Sequence, residues 1–248
     1  MKILVCISSV PDTTAKIKFT EDHSAFDKNG IQWVINPLDE FALTKAINLQ
    51  QSQGATVTVL NVGDASTEPV IRKALAIGAD DAIRVNLEPK DSYSAAQEIA
   101  KVAKEGNYDI ILMGIESIDY NGGSVPAMVA EILQHPFVNA CVGLEVEGTK
   151  AKLSREIEGG KETLTAEFPV VIAGQQGLVE EKDLIIPNMR GIMSARKKNL
   201  QVVEAAAVEV KVEAESFEST PSRGNVKMIP ADQLDELVKS LHEEAKVI

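Results

Sequence analysis

The chain has 248 residues, of which 44% are hydrophobic and 25% charged, with a formal net charge of −12. That balance excludes a disordered polymer and a nucleic-acid binder driven by bulk electrostatics, and the length is enough to bury a core as one domain with or without an appendage. No apolar run approaches the roughly 20 residues that span a bilayer.

The opening "MKILVCISSV" is too short and too quickly polar for a signal peptide, so residues 2–8 read as a buried strand and a cytoplasmic location is expected. Cys6 and Cys141 both lie in apolar, strand-like runs. They are expected to be buried thiols of a reducing compartment. Residues 36–54 have the pattern of a helix, 56–63 of a strand, 66–80 of a helix ending at Gly78, and 82–86 of a strand. A helix over 94–106, a strand over 108–114, a helix over 124–134 and a strand over 137–146 follow. Residues 150–168 alternate in polarity around Gly159-Gly160, the pattern of a β-hairpin, and 169–174 returns a buried strand. This alternation implies right-handed βαβ units and an α/β fold, a parallel sheet with helices on both faces.

From Leu184 to Val203 the chain has no acid, although it is acidic as a whole. A Pro-Asn turn opens this stretch, Gly191 breaks it, and Met189, Met193, Arg190, Arg196, Lys197 and Lys198 crowd within it. After Val203 core density falls. Residues 204–248 read as an extended arm ending in an amphipathic helix, with Leu234, Leu237, Val238 and Leu241 at helical spacing. Two parts are therefore expected: 1–203, with a protruding segment at 184–198, and the arm 204–248.

Ligands of open parallel sheets bind beyond the carboxyl ends of the strands, at helix N-termini. Two stretches suit this. In "INPLDE", Asn36 fits a helix cap, Pro37 the first helical position, and Asp39 a capping-box partner. On this stretch alone a well-capped helix is the preferred reading. In "GIESIDYNGGSVP", Gly122 and Gly123 let the backbone approach a ligand, and their amides, with the amide and hydroxyl of Ser124, suit an anion. Neither G-x-x-x-x-G-K-[ST] nor a G-x-G-x-x-G after the first strand occurs. The lack of a nearby lysine points to holding a phosphate and not to transferring one. His23, His135 and His242 are scattered without a metal-ligand pattern, and no nucleophile elbow is present. The residues thus describe a nucleotide-binding module with an interaction segment and no catalytic constellation.

These stretches resemble the beta, or small, subunit of electron transfer flavoproteins. The resemblance runs over nearly the whole chain and is carried by "VCISSVPDTTAKI", "INPLDEFAL", "IRKALAIGADDAIRV", the "ESID" loop, "REIEGGKETL" and "IPNMRGIMSARKK". It implies a Rossmann-like fold of the adenine nucleotide alpha hydrolase type and a heterodimer with a larger alpha subunit that carries the redox-active FAD. Electrons would come from flavoprotein dehydrogenases such as acyl-CoA dehydrogenases and pass to a membrane quinone reductase. The beta subunit would bury a structural AMP and would not be an enzyme itself.

Carried over by position, the AMP site would comprise Cys6, Asn36, Pro37, Leu38, Asp39, Val62 and the loop from Gly114 to Val125. That loop contributes Gly114, Asp119, Asn121, Gly122, Gly123, Ser124 and Val125, the last four nearest the phosphate. Thr13 would approach the partner's FAD. The chain departs from many relatives at Ser8, at Ile115 and in "DYNGGSVP". In electron-bifurcating relatives the same pocket holds a second FAD, with NADH nearby. The segment 184–198 would be the family's recognition loop, with Met189 as anchor, Arg190 and Ile192 beside it, and Arg196, Lys197 and Lys198 steering acidic partners. Met193 is expected to be core. A stand-alone, homodimeric stress-type nucleotide binder ranks last, because it would lack the arm and the basic segment.

Overall fold

The computed structural model of the chain describes residues 1–221 and 224–248; Ser222 and Arg223, within the expected arm, lie outside it. The first strands are β1 (Lys2–Cys6), β2 (Ser9–Pro11) and β3 (Trp33–Ile35), followed by α1 (Pro37–Gln53), β4 (Thr56–Val62), α2 (Glu68–Ile77) and β5 (Asp81–Asn86). Next come α3 (Ser92–Gly106), β6 (Ile110–Gly114), α4 (Val125–Leu133), β7 (Phe137–Glu147), β8 (Lys150–Ile157), β9 (Gly160–Glu167) and β10 (Val170–Gly174). The last elements are α5 (Met189–Ala195), β11 (Leu200–Glu204) and α6 (Leu234–Lys239).

Nine strands form one sheet in the order β11-β5-β4-β1-β6-β10-β7-β8-β9. Pairing is parallel from β11 to β7 and antiparallel through the hairpin β7-β8-β9. Successive side chains of a strand face opposite ways, and β1 uses both sides. Ile3 and Val5 enter the core that contains α1 and α2, whereas Leu4 and Cys6 enter the core that contains α3 and α4. This is the α/β architecture with two covered faces that the alternating pattern implies.

Four elements have no counterpart in the sequence expectations. The short ladder of β2 on β3 has three residues per strand, too few to show a period. Strand β11 pairs in parallel with β5 along its whole length. Its sequence, LQVVE, carries only weak strand patterning after a basic run. The fourth is α5, within the segment 184–198.

The chain divides into two units, Met1–Ile17 with Lys28–Glu215, and Lys18–Asp27 with Ser216–Ile248. The first unit carries the chain on past β11. Ala206 N–H donates to Glu98 Oε1 at 2.7 Å, and the amides of Lys211 and Val212 donate to Asp91 Oδ2 at 2.7 and 3.1 Å. In the second unit Phe19 stacks on Phe217 with ring centroids 5.3 Å apart, and Phe217 N–H donates to His23 O at 2.9 Å. Leu234, Leu237 and Val238 of α6 are exposed, so its apolar stripe is not covered within the unit. Among the described residues no helix is long and apolar enough to cross a membrane.

Candidate functional site

From β1 the chain runs outward through β4 to β5 and then returns to place β6 on the other side of β1. The strand order therefore reverses between β1 and β6, and their carboxyl ends diverge there, the position where open α/β sheets hold ligands. Helix α1 starts at this point and supplies the groups that fix it. Asp39 is buried. Its Oδ2 accepts from Ser8 N–H at 2.8 Å, beyond β1, and its Oδ1 accepts from Gly114 N–H at 2.7 Å, at the end of β6. One carboxylate thus ties the two strand ends together. A Cβ on Gly114 would lie 2.6 Å from Asp39 Oδ1 and 2.8 Å from Leu38 Cβ, so only glycine permits this approach.

Asn36, also buried, does not cap α1 with its side chain. Its Nδ2 donates to Glu116 O at 2.8 Å, and its Oδ1 accepts from Ile118 N–H at 3.3 Å. Its own N–H goes to Ser8 O at 3.0 Å, so Asp39 cannot close a capping box on it. The capping-box expectation is corrected accordingly: both side chains reach across the cleft because buried strand-end amides and loop groups need partners that only they can supply. Burial pushes the Asp39 carboxyl up to about 7, against the lowering effect of the Ser8 and Gly114 amides and the Asn36 side chain. Burial also raises the Cys6 thiol, with Asp39 adding to the effect, so Cys6 is a buried, unreactive thiol.

Cys6, Asn36 to Asp39, Val62 and Gly114 all gather at this edge, at the ends of β1, β4 and β6 and the start of α1. Asn61 also belongs here. It is buried on β4 and donates Nδ2–H to Ile7 O at 2.9 Å, while its Oδ1 has no partner among the described residues. That oxygen lies beside Gly63, where a Cβ would meet it at 2.6 Å. An amide side chain inside a run otherwise made of β-branched and apolar residues, "TVTVLNV", is the signal that would have singled it out.

Beyond Gly114 the loop is held by Asn36 and by Asp119, which accepts from Ser117 Oγ and from Tyr120 N–H at 2.9 Å. Asn121 and Gly123 take left-handed backbone (φ 50 and 57°) and lead into α4. Among the described residues no acceptor is bonded to the amides of Gly122, Gly123 and Ser124. A cavity of about 630 Å³ lies to the other side, lined by Leu38, Ile115, Glu116, Glu156, Gln175, Gln176, Gly177, Val179, Glu180 and Glu181. Its carboxylates make it unsuited to an anion, and the amides suited to one are those at the head of α4. Thr13 is exposed on the connection beyond β2, and the structure does not draw it into the cleft. Among the described residues no group of His, Cys, Asp and Glu has the arrangement to hold a metal.

The segment 184–198 is not a loop throughout. Residues 189–195 form α5, capped by Asn188, whose Oδ1 accepts from Gly191 N–H at 2.8 Å. Ile186, Met189 and Met193 are 82%, 73% and 66% exposed, and Ile192 is exposed too. Met193 is therefore not core: it lies one helical turn from Met189, on the same outward side. Arg190, Arg196 and Lys197 are exposed. Lys198 is not free to steer a partner, because its Nζ is bonded to carbonyl groups at the end of α2, and burial lowers the affinity of its amine for the proton.

A family model described as the electron transfer flavoprotein domain matches residues 24–208. The electron transfer flavoprotein subunit beta of Bacillus subtilis (strain 168) is 35% identical over 262 aligned positions that cover all of both chains. The protein of the same name from Syntrophomonas wolfei is 37% identical, over 90% of this chain and 87% of its own. That of Homo sapiens is 29% identical over 100% of this chain and 99% of its own.

Proposed function

The chain belongs to the electron transfer flavoprotein family as a beta subunit, and on that premise we propose that it pairs with an alpha subunit bearing the redox-active FAD. In this reading the heterodimer accepts electrons from flavoprotein dehydrogenases, acyl-CoA dehydrogenases among them, and passes them to a membrane quinone reductase. This chain holds a structural AMP. The FAD of the complex supplies the electron chemistry, and the residues here bind, orient and dock.

The observation that carries the nucleotide reading is the run of unbonded amides at Gly122, Gly123 and Ser124, at the head of α4. They suit a phosphate. The buried, unpaired Asn61 Oδ1 at the same sheet edge suits a donor such as an adenine amino group. Asn36 and Asp39 shape the cleft through their bonds to Ser8, Gly114, Glu116 and Ile118. Cys6, Val62, Asp119, Asn121 and Val125 complete its wall.

The test is extraction of the purified heterodimer. One FAD with one AMP is the expected result; two flavins and no AMP would instead indicate an electron-bifurcating complex with a second FAD here and an NADH site. Gly123 has left-handed backbone, which a β-branched residue rarely adopts. Gly123→Val is expected to abolish bound nucleotide and slow holoprotein assembly, while the FAD spectrum of assembled protein stays native. Stoichiometric nucleotide in that variant would move the site elsewhere.

The exposed stripe of α6 suits the alpha subunit. Deleting residues 217–248 is expected to reduce co-purification with that subunit severalfold, and an unchanged heterodimer affinity would refute this role. The apolar, basic-footed α5 suits a pocket on the dehydrogenase.

A further inference from the structure

Helix α5 has only seven residues and carries Gly191 inside it. Isolated helices shorter than about 12 residues are marginal in water, and an internal glycine is worth about 1 kcal/mol against them. Its order must come from outside. The side of α5 that carries Gly191 rests on α2: a Cβ on Gly191 would lie 2.4 Å from Ala76 O, so the two backbones touch.

The ends of the two helices are then capped crosswise. Arg72, on α2, donates from Nη1 to Ala195 O at 3.0 Å and to Lys198 O at 2.9 Å, at the end of α5. Lys198, just past α5, donates from Nζ to Leu75 O at 3.0 Å, Gly78 O at 3.3 Å and Ala79 O at 2.5 Å, at the end of α2. Each cation occupies a helix C-terminus, where free carbonyls and the macrodipole favour it. Glu68 orients Arg72 through Nε and Nη2 at 3.2 and 3.1 Å.

We propose that Arg72 and Lys198 are positioning residues for partner docking, a reciprocal clamp that fixes α5 on α2 so that Met189, Ile192 and Met193 are presented preformed. The inference rests on the docking role given to α5 above. Neither residue meets the partner. Their effect is to remove the ordering cost of the helix from the binding step, which is the general route by which preorganisation raises affinity. Arg190, Arg196 and Lys197 remain as the exposed charges. The segment therefore turns one of its four cations, Lys198, inward to build the surface with Arg72 of α2, and leaves three facing solvent.

The test compares holoprotein carrying Arg72→Met, Lys198→Met, Lys198→Arg, Met189→Ala or Arg196→Ala with Lys197→Ala. An acyl-CoA dehydrogenase reduced by its acyl-CoA serves as donor. Arg72→Met and Lys198→Met are each expected to speed hydrogen exchange of the 189–197 amides. They should raise the carrier concentration at half-maximal electron transfer about fivefold or more, with the limiting rate and the salt dependence unchanged. Lys198→Arg, which keeps a cation on the carbonyls, should restore both readouts. Faster exchange with a native concentration dependence would overturn the proposal. So would a flattened salt dependence in Lys198→Met, which would make Lys198 a steering charge. Arg72→Met leaves the cap on α2 in place and keeps the test decisive if Lys198→Met does not assemble. If Met189→Ala is also native in its concentration dependence, the docking reading fails and takes the clamp with it; if Met189→Ala is impaired and the clamp variants are not, only the clamp fails.

Discussion

Replacing Asp39 with alanine is expected to destabilise the protein by about 2–6 kcal/mol, because two buried backbone donors lose their acceptor at about 1–3 kcal/mol each. The donors are Ser8 N–H and Gly114 N–H, and water cannot replace the carboxylate at a buried position. Against a typical net stability of about 5–15 kcal/mol the loss is large. Asp39→Asn keeps one acceptor and faces the other amide with an NH2 group, so it should lose roughly half as much.

The carboxyl also imposes a pH dependence. Its folded value of about 7 lies above the roughly 3.9 of an unfolded aspartate. The native state therefore binds the proton more tightly. This group leaves stability unaffected below about pH 4 and lowers it progressively as pH rises through about 7. The alanine variant lacks that slope, so the gap between it and the wild type should be wider near pH 5 than near pH 8. Denaturant unfolding of the assembled protein at the two pH values checks both claims. A gap that widens toward pH 8 would mean that the two amides, and not burial, set the titration of Asp39.

The placement of the candidate residues was legible in the sequence where it depends on local order along the chain. A helix-start pattern marked Asn36, Pro37 and Asp39, which the structure places at the sheet edge, and a glycine pair before a helical pattern put Gly122 and Gly123 at the head of α4. What the side chains do there was not legible. Asn36 and Asp39 satisfy a capping-box spacing, but their bonds go to Ser8, Gly114, Glu116 and Ile118, and only the strand order brings those groups within reach. Lys198 and Lys197 are adjacent and alike in sequence. One is half-buried among carbonyls and the other exposed, because α5 packs on α2 and brings the end of α2 within reach of Lys198. Met193 follows the same logic. An apolar residue three or four places from another reads as core when a neighbouring element is assumed, yet α5 turns Gly191 and Ala195 to α2 and leaves both methionines outside.

Met189→Ala is expected to raise the concentration of carrier needed for half-maximal electron transfer from a partner dehydrogenase by about tenfold or more. Truncating an anchor that becomes buried in a complex removes about 2 kcal/mol or more, and each 1.4 kcal/mol is about tenfold in affinity. In the free chain Met189 is 73% exposed, so the same change should alter folding stability by no more than about 0.5 kcal/mol. The thermal melt should therefore stay native, which separates an anchor from a core residue. Exchanging Arg196 and Lys197 for alanine acts on a different step. Exposed rim charges accelerate encounter, so this double variant should slow association and flatten its salt dependence with little change in dissociation. Reduction by dithionite and bound nucleotide should be normal in both, since neither change touches the edge of the sheet at Asn36, Asn61 and Gly123. A native concentration dependence in Met189→Ala would remove α5 from the docking surface. A loss carried entirely by the association rate would transfer its role from the methionine to the charges at its foot.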